Sequence, residues 1–338
     1  GGDAMRAVVC RAFGPYRNMT VEEVAPPSLV PGGARVAVAA TAIGFANLLV
    51  VEGRHQNTPP LPFTPGTEAA GTVVEVADGV TRVKPGDRVA VGVRNGGFAE
   101  QVVAPADNCF PIPDAMDFPA ATQFPTIYGT GYGALDWRAQ LQPGEVLLVH
   151  GAAGGSGLAA VELGKAMGAD VIATAGSADK LAVAREHGAD HLIDYNETPF
   201  RDAVLELTGG RGADVIYDPV GGEVFEQSLR CIAPDGRIIP MGFAGGTIPQ
   251  IPANILLVKN ITAIGIYWGH YMGWGRQPRM PADVARLHEG MARMFGWFEA
   301  GRLKPLTQAT FDLADFADGM DLVAARKAIG KVVLTTGQ

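Results

Sequence analysis

The chain has 338 residues, 47% of them hydrophobic and 18% charged, with a formal net charge of −8. That length fits two domains better than one, and that balance describes a packed globular protein. The acidic total argues against a nucleic-acid-binding protein, which needs a basic face, and no apolar run is long enough to span a bilayer.

Cys10, Cys109 and Cys231 are far apart, follow no zinc-type spacing and make no disulfide framework. With no signal-peptide pattern, a reducing cytoplasm is the expected setting. Gly1 to Ala4, ahead of Met5, read as an added leader outside the fold. From Met5 to about Gln123 the chain shows short β-type runs, at 34–40, 71–76, 88–91 and 98–103, separated by turn clusters such as Pro31-Gly32-Gly33 and Lys84-Pro85-Gly86-Asp87. This spacing predicts a small barrel or sandwich. After about Phe124 the rhythm changes. Apolar strands at 145–150, 170–175, 191–195, 214–218 and 236–242 alternate with helical stretches near 156–167 and 179–187. Such alternation predicts βαβ units with a parallel sheet whose two faces are covered. Beyond about Thr262 a helix near 281–300 precedes a closing strand at 331–334, a tail of the kind that returns to complete a first domain.

The chemistry rests on His150-Gly151-Ala152-Ala153-Gly154-Gly155-Ser156-Gly157, between a predicted strand and a predicted helix. Glycine lets the backbone approach a pyrophosphate, and the helix N-terminus offers unsatisfied N–H groups to the anion. The spacing is G-x-x-G-x-x-G with an added Gly155, in the strand–turn–helix setting that a dinucleotide site requires. An NAD site usually places an acidic residue at the end of the second strand to hold the ribose hydroxyls. Here that strand ends Thr174-Ala175-Gly176-Ser177, with Lys180 one turn later and Tyr195 closing the third strand. A small neutral strand end beside a lysine suits a 2′-phosphate, so NADPH is the expected cofactor. Asp179 is the group that would serve a ribose instead, and Lys180 could also be a solvated helix residue.

The sequence resembles the zinc-independent quinone oxidoreductases (zeta-crystallin-like) of the medium-chain dehydrogenase/reductase superfamily. The resemblance is carried by PGTEAAG at 65–71, KPGDRV at 84–89, GGFAE at 96–100, LQPGE and GAAGGSG within 141–157, GKAMGADVIATA and GADHLIDY up to Tyr195, and DPVGG at 218–222. It implies an α/β protein made of a GroES-like β-rich catalytic domain, residues 5–124 and 265–338, and a Rossmann domain with a doubly wound parallel sheet, residues 125–264. It also implies a homodimer. Residue by residue it places Gly154, Gly155, Ser156 and Gly157 on the pyrophosphate, and Gly176, Ser177, Lys180 and Tyr195 on the 2′-phosphate. Phe45, Asn47, Thr130, Phe243, Ile266, Tyr267, Trp268 and Arg326 fall along the rest of the cofactor.

Zinc alcohol dehydrogenases share the architecture and need Cys, His and a further Cys or acid on one open site. This chain has no thiol in 41–47, reads Gly66-Thr67-Glu68 where those enzymes have Gly-His-Glu, offers only the Thr126 region in place of the last Cys, and carries no cysteine in 91–98. No metal is expected. Two positions depart from the family pattern: Asn-Phe-x-Asp appears as Gly44-Phe45-Ala46-Asn47, and Gly-x-Tyr as Gly53-Arg54-His55. His55 is therefore a candidate proton donor, or else an ordinary loop histidine. Tyr128, Tyr267 and Tyr271 are further candidates that could equally be packing aromatics. The expected activity is NADPH-dependent reduction of an electrophilic small molecule, a quinone or an activated alkene such as an enone or enoyl-thioester. The alternative is a low-turnover NADPH-binding protein with a structural, sensing or interaction role.

Overall fold

The computed structural model describes residues 3–325 and 329–338. The chain divides into two units, one made of Gly1–Thr126, Gly269–Phe295 and Pro305–Gln338, the other of Ile127–Trp268 and Gly296–Lys304.

The first unit is mainly antiparallel. Strand β1 (Met5–Val9) pairs with β2 (Thr20–Val24). Strand β3 (Gly33–Ile43) runs into helix α1 (Phe45–Val51), and is followed by β4 (Glu68–Val76), β5 (Arg88–Gly92), β6 (Gln101–Pro105), β7 (Cys109–Pro111) and a short helix α2 (Phe118–Ala121). Apolar side chains of β3, β4 and β5, including Val36, Val38, Val73, Val89 and Val91, form one buried core. These are β-branched residues that pack well on a pleated surface.

The second unit begins with α3 (Gly129–Tyr132), β8 (Val146–Val149), α4 (Gly155–Ala166), β9 (Asp170–Ala175) and α5 (Ala178–Glu186). It continues through β10 (His191–Asp194), α6 (Phe200–Leu207), β11 (Ala213–Asp218), α7 (Gly222–Ser228), β12 (Ile232–Pro240), α8 (Ala253–Lys259) and β13 (Thr262–Ala263). All pairings in its sheet are parallel, in the order β10-β9-β8-β11-β12-β13. The strand order reverses between β8 and β11, and ligands of open α/β sheets bind outside the carboxyl ends at such a point. Leu148, Ile172, Ile193, Ile216 and Ile238 form its core with Val204 and Phe225 from the covering helices.

The chain then passes through α9 (Trp268–Tyr271) and α10 (Pro281–Glu299) to β14 (Thr307–Asp312), α11 (Phe316–Ala324) and β15 (Lys331–Thr335). Strands β14 and β15 complete the first unit's sheet in the order β14-β15-β3-β4-β5-β7, with β6 also on β3. Residues 296–304 go with the second unit instead. Trp297 packs on Tyr132 with ring centroids 6.2 Å apart, and the Lys304 amide donates to Glu162 Oε2 at 2.6 Å. Among the described residues no helix is long and apolar enough to cross a membrane.

Candidate active site

In the second unit the glycine loop leaves β8 and wraps the start of α4. The Leu158 amide donates to the Gly154 carbonyl at 2.8 Å, which begins the helix, while the first-turn amides have no carbonyl partner within the helix and are open to an anion. A Cβ on Gly157 would lie 2.1 Å from the Gly151 carbonyl oxygen, so the turn admits only glycine there. Ser156 Oγ and the buried Tyr217 hydroxyl share a hydrogen bond of 2.8 Å, and burial pushes that phenol up to about 12.

At the strand end assigned to the 2′-phosphate, Gly176, Ser177 and Tyr195 lie close to one another. A Cβ on Gly176 would come within 2.7 Å of the Tyr195 hydroxyl, so glycine makes room for that tyrosine. Asn196 Nδ2 donates to the Gly176 carbonyl at 2.9 Å. Ser177 caps α5, its Oγ accepting from the Lys180 amide at 3.3 Å. Among the described residues no partner of the Lys180 ammonium is recorded within salt-bridge distance, and Asp179 is exposed on the first turn of α5. Asn196 carries no motif signal and was not anticipated.

Two buried polar hubs brace these elements. His150 lies at the end of β8 with Nδ1 2.8 Å from Thr174 Oγ1 and Nε2 2.8 Å from Ser228 Oγ. Ser228 already donates to the Val224 carbonyl at 2.8 Å, so Nε2 carries the ring proton and Nδ1 accepts from Thr174. Burial holds this imidazole neutral, its pKa lowered to about 3. The second hub is Glu162 of α4. It accepts from the Tyr128 hydroxyl, from His187 Nδ1 at 3.1 Å and from the Lys304 amide. Tyr128 is itself buried, and desolvation with the nearby Glu162 raises its pKa well above the usual phenol range.

Thr130 is half-buried on α3. The Trp268 indole packs against the same short helix, with Cζ2 2.7 Å from where a Gly129 Cβ would stand. The Ile266 side chain reaches within 3.0 Å of the corresponding point on Gly133. Phe243 and Tyr267 are exposed, Phe243 lying 3.1 Å from the Cβ position of Gly221. Arg326 lies outside the described residues.

In the first unit the Gly44 amide donates to Asn47 Oδ1 at 2.7 Å at the start of α1; Asn47 is buried, and Phe45 is exposed beside it. His55 is half-buried in the loop after α1, and its Nδ1 accepts from the Asn57 amide at 3.0 Å. The proton of the neutral ring is therefore on Nε2. Tyr271 is half-buried on α9, with its carbonyl accepting from Arg279 at 3.0 Å and its ring 5.3 Å from that of His270. Among the described residues no three His, Cys, Asp or Glu side chains converge to hold a metal ion.

Comparison with known proteins matches residues 30–114 to the "Alcohol dehydrogenase GroES-like domain" family and residues 155–289 to the "Zinc-binding dehydrogenase" family. The chain is 43% identical to the quinone oxidoreductase-like protein 2 homolog of Nematostella vectensis over 343 aligned positions, covering 100% of this chain and 91% of that protein. The quinone oxidoreductase of Pseudomonas syringae pv. Tomato DC3000 superposes with a TM-score of 0.88 at 30% identity, covering 98% and 99% of the two chains. The Escherichia coli quinone oxidoreductase, solved in complex with NADPH, superposes with a TM-score of 0.86 at 27% identity, covering 98% and 99%.

Proposed function

Because the chain belongs to the quinone oxidoreductase family of the medium-chain dehydrogenases/reductases, we propose that it reduces quinones or activated alkenes, enones and enoyl-thioesters among them, with NADPH. The observation that carries this reading is the pairing of a glycine-only turn at Gly157 with a carboxylate-free strand end at Gly176, where Tyr195, Ser177 and Lys180 gather. The cofactor fits that cradle: amides of Gly154, Gly155, Ser156 and Gly157 would hold the pyrophosphate, and Ser177, Lys180 and Tyr195 the 2′-phosphate. Phe45, Asn47, Thr130, Phe243, Ile266, Tyr267 and Trp268 are assigned to its remainder by the family resemblance. Bound NADPH supplies the hydride. No metal ligand set is needed, because a conjugated acceptor is already activated.

On the acceptor side we assign His55 as the group that meets developing negative charge. With Nδ1 occupied by the Asn57 amide, its Nε2–H can hydrogen-bond an oxyanion. Tyr267 is the exposed tyrosine able to assist, whereas we assign Tyr128, whose hydroxyl is committed to Glu162, to holding α3 against α4. We further propose a homodimer. Leu257 and Val258 of α8 are 78% and 76% exposed, just ahead of the open edge strand β13, and a soluble monomer rarely leaves such a patch uncovered.

The test is NADPH oxidation in the presence of a quinone, a 2-alkenal and a crotonyl-thioester. Turnover of at least one supports the enzyme. Tight NADPH binding without turnover of any would favour a binding protein.

A further inference from the structure

The end of the first unit's sheet that leads into α1 holds two buried charges that the reading above does not use. Lys331, the first residue of β15, is 6% exposed, and Glu68, the first residue of β4, is 3% exposed. Their placement follows from strand register. Val332 pairs with Ile43, which sets Lys331 across from Gly44, and Ala69 pairs with Thr41, which sets Glu68 across from Ala42. Ala42 and Gly44 are two residues apart on β3, so both charged side chains belong to one face of the sheet, on either side of that strand. A Cβ on Gly44 would lie 4.0 Å from Lys331 Nζ and 3.4 Å from Asn47 Oδ1. The ammonium therefore sits against the turn that starts α1, the segment carrying Phe45 and Asn47.

Buried charges are weak evidence for stability, since apolar replacements of similar volume are often neutral or stabilising. A buried lysine also carries a desolvation cost that an apolar side chain at the same position would not. Its persistence here asks for another reason. Reduction of a quinone or enone places negative charge on the acceptor oxygen before a proton arrives, and a fixed cation in a low-dielectric surrounding stabilises such charge far more than one in water.

We propose that Lys331, buried on the same sheet face as Glu68 and against the Gly44–Asn47 turn, is a positioning residue for the acceptor: it fixes that turn and sets the positive potential against which charge on the acceptor develops. The inference rests on the assignment of the acceptor to the segment 44–55. Burial lowers the Lys331 pKa below the usual lysine value, and Glu68 opposes that shift. Glu68 of β4 is the ionisable group coupled to it among the described residues; β3 and α1 present Thr41, Ala42, Ile43 and Asn47, which do not titrate. The charged form is lost as pH rises through the lowered pKa, so alkene reduction loses rate on the alkaline side. Removing Glu68 moves that loss to lower pH.

The experiment compares the full-length protein with its K331M, K331R and E68Q variants. It measures kcat/KM for a 2-alkenal between about pH 6 and 10, NADPH affinity, the thermal midpoint, and the lysine signal of protein labelled at the ε-carbon with carbon-13. The expected result is a rate at least about tenfold lower in K331M, with its alkaline limb gone and NADPH affinity unchanged. K331R restores most of the rate. E68Q shifts both the limb and the Lys331 signal to lower pH, which settles the coupling even if K331M fails to fold. A wild-type protein inactive on every acceptor overturns the functional reading, and the acceptor role of Lys331 with it. Activity in the wild type combined with an unchanged profile in K331M and E68Q, or a fall in thermal midpoint alone, overturns the inference by itself.

Discussion

Lys180 and His55 are the two side chains to which the proposed function assigns cofactor and acceptor specificity. Removing one charge-assisted phosphate contact costs roughly 1.5–3 kcal/mol, so Lys180→Ala should weaken NADPH about tenfold or more while leaving NADH affinity nearly unchanged, as read by fluorescence titration. Equal losses for both cofactors would show that Lys180 supports α5 without touching the phosphate. For His55 the outcome depends on the acceptor. An enolate oxygen benefits from the Nε2–H donor, whereas hydroquinone oxygens exchange protons readily with solvent. His55→Ala should therefore slow 2-alkenal reduction by about 10²-fold or more and quinone reduction far less, with NADPH affinity unchanged. Equal, unaltered rates with both acceptors would make it an ordinary loop residue. The sequence suggested both side chains. It did not reveal that Asn57 occupies His55 Nδ1, because a backbone donor two residues away has no residue-type signature.

At the level of elements, the glycine loop, the helix after it and the alternation of strands and helices were legible, since each rests on local spacing and periodicity. What the sequence concealed is tertiary. Tyr128 reads as a candidate catalytic phenol, yet its hydroxyl is committed to Glu162 within the core. The runs Phe124–Tyr128 and Gly133–Arg138 are wound as π-helix, a form without a composition cue. His150 reads only as the residue before the loop, yet it ties β8 to β9 and α7. Burial lowers its pKa from the ordinary histidine value of 6.5 to about 3, so the unfolded chain binds the proton that the folded one refuses. The stability from this neutral histidine is present above the unfolded value and is lost as pH falls from about 6.5 toward 3, by at most about 1.4 kcal/mol per pH unit. A His150→Gln variant should show a shallower loss of stability over that window in denaturant titrations. A slope equal to wild type would mean that other groups set the acid sensitivity.

For the whole molecule, the two-part architecture was legible from the change of rhythm near residue 124. The return of 296–304 to the second unit was not, because it depends on Trp297 meeting Tyr132 and on the Lys304 amide meeting Glu162. Assembly belongs to this scale. If the exposed face at Leu257 and Val258 is the contact between two copies, replacing both with Glu should convert a dimer to a folded monomer in sedimentation or light scattering, with the circular dichroism spectrum unchanged. A wild-type protein that is already monomeric at high concentration would rule out the dimer.

The enzyme proposed above is a metal-independent reductase that selects NADPH by its phosphate. It is tested most directly by kcat/KM for NADPH and for NADH with one quinone, measured before and after dialysis against a strong chelator. A preference for NADPH of about tenfold or more is expected, the same before and after chelation. Equal values for the two cofactors, or activity lost with a stoichiometric metal and restored by its return, would contradict it.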